Sequence, residues 1–216
     1  MGNLQAAIEE AAKISGQSYV LIKEGTYKPT TGTNRSISFS LRNEVSVIGG
    51  FVGTETTLGP KGGKTILSGN IGNQNLKTDN TYRVIELNPE LGLNYTAKLQ
   101  NVTITDGYNS GGGGGMYINS CNPVLRKCRI ENNLALNGAG IYLGRDSRPI
   151  IIDCSFVNNT ATNVGGAIAV GDKSSDLIWV RPETNFSGNN STTNPNRNNF
   201  SFPTDSDFYE IIYVEI

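Results

Sequence analysis

Two stretches of the chain, Pro123–Asn133 (PVLRKCRIENN) and Pro149–Asn159 (PIIIDCSFVNN), align at an offset of 26 residues. The proline, the cysteine, a large apolar residue and the closing asparagine pair coincide in the two copies. One repeat earlier, Val102, Ile104 and Asp106 fall at corresponding positions. A sequence period of about 20 to 50 residues is typical of solenoid proteins.

A second repeated unit lies between these stretches, as Gly114–Ile118 (GGMYI), Ala139–Leu143 (AGIYL) and Gly165–Val170 (GGAIAV). The repeats contain short segments of period two and no stretch long enough for a helix. Helical solenoids are therefore excluded, and a disordered tract would not keep the repeated residues in register. The pattern predicts one turn of short parallel strands per repeat, stacked about 4.8 Å apart along one axis.

The sequence predicts a single domain over residues 1–216, with a distinct element at each end. Residues 1–16 predict a capping helix, because apolar residues from Leu4 to Ile14 have helical spacing between an N-cap at Asn3 and Gly16. Residues 17–188 are assigned to coils, with short strands predicted at Ile37–Leu41 and Leu99–Thr105, among others. Residues 189–216 are predicted to form a polar loop followed by a possible capping strand. A helix laid over the first coil would cover an otherwise unpaired strand edge.

The amino-acid composition and net charge exclude some classes of binding partner. Glycine and asparagine each account for 26 of the 216 residues, and charged residues make up only 17 %. The formal net charge is −1, so the protein has no strong field for a polyanion. We therefore expect no nucleic-acid partner. We also expect no membrane insertion, because no run approaches the ~18 apolar residues of a membrane span.

The chain contains no histidine, which excludes catalytic triads and zinc sites that need imidazole. The three cysteines, Cys121, Cys128 and Cys154, are odd in number and include no C-x-x-C pair. They predict neither a disulfide framework nor a resident metal, and we expect no cofactor. Cys128 and Cys154 are predicted to be free and inward-facing.

Several motifs resemble the pectin-lyase-like superfamily of right-handed parallel β-helices. Leu4–Ile8 and Val20–Tyr27 resemble the opening coils of bacterial β-helix exoproteins, while Gly165–Ile168, Phe156–Asn159 and Phe186–Asn189 are similar to polymorphic outer-membrane protein repeats. The resemblance implies an all-β, single-stranded right-handed parallel β-helix with about 26 residues per coil. It is weak for function, because the superfamily includes lyases, hydrolases, adhesins and phage spikes.

The resemblance also implies where chemistry could lie. The superfamily's galacturonan hydrolases need paired aspartates and a Gly-His-Gly element, which this chain lacks. Its polysaccharide lyases need Ca²⁺ on carboxylates and a basic residue on one face. Lys127, Arg129 and Asp153 are predicted to share an outward face, so they are the candidate catalytic residues of a Ca²⁺-dependent lyase acting on a uronate-containing polymer. A solvated face with one ion pair is the simpler interpretation.

A second outward face contains candidate ligand-binding residues. If the apolar residues around them point inward, Tyr117 and Tyr142 point outward and stack one coil apart. The following turn carries Arg145, Asp146 and Arg148. Aromatic rings beside fixed polar groups suit a sugar ring, although exposed tyrosines are common on any sheet.

The sequence is compatible with three functions. We favour a secreted or cell-surface module that binds a polysaccharide or surface glycan, with the uronate lyase as the alternative and a structural spacer as the third. The first fifteen residues are too polar for a signal peptide, so the protein is either cytosolic or exported with its leader outside this sequence. The resemblance to bacterial exoproteins favours the exported location.

Overall fold

The computed structural model describes residues 3–54, 62–171, 178–181, 183–195, 199–201 and 211–212. It forms a parallel β-solenoid of about six coils, closed at its start by helix α1 (Leu4–Ala11). Within the described residues, all strand pairs are parallel, as the repeat predicts. The fold prediction is thus confirmed, with an average of about 27 residues per coil.

The strands follow the chain coil by coil. The first two coils contain β1 (Ser18–Lys23) and β2 (Gly25–Tyr27), then β3 (Val45–Phe51), β4 (Thr65–Ser68) and β5 (Ile85–Leu87). The next two contain β6 (Lys98–Gln100), β7 (Thr103–Thr105), β8 (Tyr108–Gly112), β9 (Met116–Ile118), β10 (Val124–Arg126), β11 (Arg129–Glu131), β12 (Leu134–Asn137) and β13 (Ile141–Leu143). The last contain β14 (Ile150–Ile152), β15 (Ser155–Val157), β16 (Thr160–Val164), β17 (Ile168–Val170), β18 (Ile178–Val180), β19 (Asn185–Ser187), β20 (Asn190–Ser191), β21 (Phe200–Ser201) and β22 (Ile211–Ile212).

These strands line four faces. Sheet 1 has the order β1-β3-β6-β10-β14-β18-β22, and sheet 2 has the order β2-β4-β7-β11-β15-β19. Sheet 3 is β8-β12-β16-β20, and sheet 4 is β5-β9-β13-β17-β21. Short 3₁₀ turns at Lys77–Asp79 and Pro89–Leu91 interrupt the early coils.

The predicted register is confirmed at the central coils. Ile130 pairs with Ile104 on one side and with Phe156 on the other, and all three side chains are buried. Cys128 and Cys154 are free and buried, as predicted. The spacing becomes 30 residues between Phe156 and Phe186, whose rings stack with centroids 5.0 Å apart. Most inward side chains form one core along the solenoid, and Ala135, Ala139 and Ala161 form a second, small cluster.

Several corners between strands have left-handed backbone, at asparagine and at other polar residues. Asn101, Lys127 and Asp153 turn the chain between sheets 1 and 2 with φ of 53°, 51° and 52°. Asn132 and Asn158 turn it between sheets 2 and 3 with φ of 56° and 54°. Asparagine and glycine tolerate this region better than other residues.

Three local predictions differ from the structure. The helix ends at Ala11, so Ile14 lies beyond it and is 62 % exposed, whereas Asn3 caps it as predicted. The predicted strand Leu99–Thr105 is divided into β6 and β7, because Asn101 adopts positive φ. Of the predicted strand Ile37–Leu41, only an isolated bridge from Phe39 to Ile85 forms.

At the far end, the predicted polar loop from residue 189 instead starts with β20, which continues sheet 3 through pairing with β16. The predicted closing strand is present as β22, which pairs with β18. The sequence predicts this strand over Tyr209–Ile216, and residues 209–210 and 213–216 lie outside the described residues.

Candidate functional site

The outward positions of sheet 4 carry the two predicted tyrosines. Tyr117 pairs with Glu86 on β5 and with Tyr142 on β13. The residues on either side of each tyrosine are buried: Met116, Ile118, Ile141 and Leu143. Alternation along β9 and β13 therefore orients the tyrosines outward, as the sequence predicts.

The two rings are parallel, with centroids 5.7 Å apart and planes 4° apart. On the β5 side, the Arg83 guanidinium carbon lies 4.0 Å from the Tyr117 ring centroid, and Arg83 also forms an ion pair with Glu86. Tyr117 is thus contacted by a cation from one neighbouring coil and by an aromatic ring from the other. The sequence predicts that the two rings point outward and stack, and the structure adds that both tyrosines are half-buried within this stack.

An open groove of about 390 Å³ runs beside this stack. Its lining consists of the two tyrosines and residues from the turns that leave sheet 4: Pro89, Asn119, Ser120, Gly144, Arg145 and Gly171. Gly171 is required for this packing, because a Cβ there would lie 1.7 Å from the Tyr142 hydroxyl oxygen. The Tyr142 side chain therefore extends along the backbone of the next coil.

Buried Ser147 fixes the turn that carries the polar groups. Its Oγ donates to the Ile118 carbonyl at 3.0 Å and accepts from the Ser120 backbone N–H at 3.1 Å. The same Ser120 N–H donates to the Arg145 carbonyl at 2.8 Å. These bonds hold Ser120 and Arg145 beside the groove.

The predicted binding residues are only partly brought together. Arg145 is exposed and lines the groove with the tyrosines, whereas Asp146 and Arg148 lie in the same turn but outside the lining. The sequence pattern did not identify Asn119 and Ser120, which follow the outward tyrosine of their coil. Their position just past a strand end was the signal that could have identified them.

The candidate lyase residues occupy another groove, at the corner between sheets 1 and 2. Lys127 and Arg129 line this groove of about 380 Å³ together with Lys64, but Asp153 does not. The Arg129 Nε donates to the Glu131 carboxylate at 2.6 Å. Among the described residues, no ion pair joins Lys127 to Asp153, and no group of three or more acidic or cysteine side chains could hold a metal ion.

The comparisons with known proteins identify the architecture. The family model described as "Right handed beta helix region" matches residues 60–207. Neither the search of curated proteins nor that of solved structures finds a match. Within the described part of the chain, no helix has the length and apolar character needed to cross a membrane.

Proposed function

This chain belongs to the right-handed β-helix family, and from that premise we propose that it is an exported binding module that recognises carbohydrate in the groove beside Tyr117 and Tyr142. The fold itself hosts many functions, so the proposal rests on the groove.

The observation that carries the proposal is the combination of an aromatic stack with fixed polar groups around one open groove. Tyr142 offers ring carbon and a hydroxyl, while Asn119 and Ser120 offer an amide and a hydroxyl. Arg145 adds guanidinium donors. A sugar presents C–H groups and hydroxyls on the same ring, so it complements a surface that alternates in this way.

Rigidity of the groove supports recognition. Its strands are paired on both sides, and its turn is held by the buried Ser147 hydroxyl. A site whose groups are already in place loses less conformational entropy when a ligand binds. A solenoid also repeats equivalent positions along its axis, which matches the repeating units of a polysaccharide.

Glycan-array binding of the labelled protein tests the proposal. We expect binding to a defined set of glycans that Tyr142→Ala weakens and Tyr19→Ala does not. Tyr19 is a matched control because it is 52 % exposed and lies on β1 in sheet 1, away from the groove. If the protein bound no glycan, the structural-spacer function would replace the proposed binding function.

The lyase alternative predicts a different outcome. Lys127, Arg129 and Lys64 share one groove, and this basic lining is the observation that favours it. A screen of uronate-containing polysaccharides, read by absorbance of the unsaturated product with and without a chelator, separates the two functions. Chelator-sensitive product formation would displace the binding module as the function.

A further inference from the structure

The chain leaves the solenoid after β4 and returns before β5 through a loop over residues 69–81. The loop is closed at its base, where the Thr81 backbone N–H donates to the Gly69 carbonyl at 2.8 Å. Asn70 and Asn80 are the next residues inside this closure, and Asp79 adjoins Asn80. The three polar side chains therefore belong to one closed loop.

Each of these side chains has a buried oxygen without a hydrogen-bond partner: Asn70 Oδ1, Asp79 Oδ1 and Asn80 Oδ1. Asn80 as a whole is only 1 % exposed. Burying a polar group without a hydrogen-bond partner destabilises a folded protein. Three such atoms in one loop indicate that the loop binds an ion or a water molecule.

The remaining polar atoms of these side chains are already used. Asn80 Nδ2 donates to the Asp106 carbonyl at 2.7 Å, and Asn70 Nδ2 lies 3.5 Å from the Gln74 carbonyl. Asp79 Oδ2 accepts from the Asn73 backbone N–H at 2.7 Å. The unmet atoms are therefore all acceptors, and one of them belongs to a carboxylate.

The neighbouring cations do not satisfy them. Arg35 donates from Nε to the Asn80 carbonyl at 2.5 Å and from Nη2 to the Tyr108 carbonyl at 3.1 Å. Lys77 Nζ donates to the Asn132 carbonyl at 2.9 Å. Both cations are bound to backbone oxygens, while the three side-chain oxygens keep no partner.

We propose that Asn70 Oδ1, Asp79 Oδ1 and Asn80 Oδ1 bind one Ca²⁺ ion. Ca²⁺ takes six to eight oxygen ligands, including carboxylates and asparagine carbonyls, in flexible geometry. Buried water would satisfy acceptors too, but it would leave the Asp79 charge uncompensated, whereas a cation neutralises it. This site is separate from the glycan groove.

Gly72 supports the carboxylate position. A Cβ on this residue would lie 2.3 Å from Asp79 Oδ2, so the backbone approaches the carboxylate more closely than any other residue type permits. Asp106 lies beside the loop, where its Oδ2 accepts from Ser68 Oγ at 3.0 Å. Its charge would add to the attraction for a cation.

The test is calorimetric titration of the chelator-treated full chain with CaCl₂, alongside its melting temperature with and without the ion. We expect one Ca²⁺ per chain, weaker binding of Mg²⁺, and a higher melting temperature with Ca²⁺, because the ion binds only the folded state. Asp79→Asn should weaken Ca²⁺ binding at least tenfold. Glu10→Gln is the matched control, since its 71 % exposed side chain lies on α1, and it should bind as the unmodified chain does.

A second variant keeps the proposal falsifiable if Asp79→Asn fails to fold. Asn70→Asp adds a charged ligand to the site, so it should tighten Ca²⁺ binding at least threefold. No binding by the unmodified chain up to about 10 mM CaCl₂, above the weak limit of about 1 mM for protein sites, would overturn the proposal. Unchanged affinity in either variant would do so as well, because the bound ion would then lie outside this loop.

Discussion

Asn133 donates two hydrogen bonds to the side-chain oxygen of Asn159, from its backbone nitrogen at 3.2 Å and from its Nδ2 at 3.0 Å. Asn159 repeats this relationship with Asn189 at the same two distances. The Nδ2 of Asn159 also donates to the Ile130 carbonyl at 2.8 Å. This buried ladder connects three successive coils at the corner between sheets 2 and 3.

Asn159→Ala should destabilise the protein by about 3 kcal/mol or more. It removes the acceptor of two Asn133 donors and the donor to Ile130, and each unpaired buried group costs about 1–3 kcal/mol. Urea unfolding followed by circular dichroism measures the loss. Asn163→Ala, at an exposed position, should stay within about 0.5 kcal/mol. Equal losses in both variants would show that the ladder adds no stability of its own.

Tyr142→Ala should weaken glycan binding by about 1–3 kcal/mol, the scale of a lost aromatic contact. Because the ring faces outward and is only half-buried, the free energy of unfolding should fall by less than for a buried core aromatic residue. Tyr117→Ala should weaken binding similarly but cost more stability, since the Arg83 guanidinium then loses its ring at 4.0 Å. Titration calorimetry and urea unfolding separate the two effects. Unfolding of Tyr142→Ala would contradict the outward assignment.

Gly171→Ala should weaken glycan binding while leaving the core intact. The new methyl group would overlap the Tyr142 hydroxyl, so the ring must swing away from the groove. In the double variant Tyr142→Ala with Gly171→Ala, the second change should add little further loss, because the clashing ring is gone. Additive losses measured by calorimetry would show that Gly171 acts independently of Tyr142.

Cys128 and Cys154 should resist alkylation in the native protein and react after denaturation. Burial raises the pKa of the Cys128 thiol well above its ordinary value, so at neutral pH the reactive thiolate is scarce as well as inaccessible. Mass spectrometry after iodoacetamide treatment detects each modification. Native labelling of either cysteine would mean that the coil opens locally on the timescale of the reaction.

Lys127→Ala should leave glycan binding unchanged, because Lys127 lies in the separate groove between sheets 1 and 2. Under the lyase alternative, the same change would abolish formation of unsaturated uronate product. Absorbance assays on the unmodified chain and on this variant, beside glycan titrations of both, distinguish the two functions. An elimination activity lost in Lys127→Ala would replace the binding function with the enzymatic one.

Much of the fold was predictable because a solenoid places each residue against its equivalent one coil away. The offset between Ile130 and Phe156 is therefore both a sequence repeat and a strand pairing. The sequence repeat is interrupted where a coil contains an insertion, as in residues 69–84 between β4 and β5. An insertion leaves no equivalent residue to align, so its conformation is decided by contacts that the repeat does not encode.

The sequence by itself determined the parallel coils, the inward cysteines and the outward tyrosines, because alternation and period follow directly from strand geometry. Only the tertiary structure decided that Arg83 covers Tyr117 and that Asn119 lines the groove. It also decided that Asp79 and Asn70 share one loop with unmet oxygens. These relationships join turns and insertions across coils, where distance in space depends on how each corner bends and not on the spacing of residues in the chain.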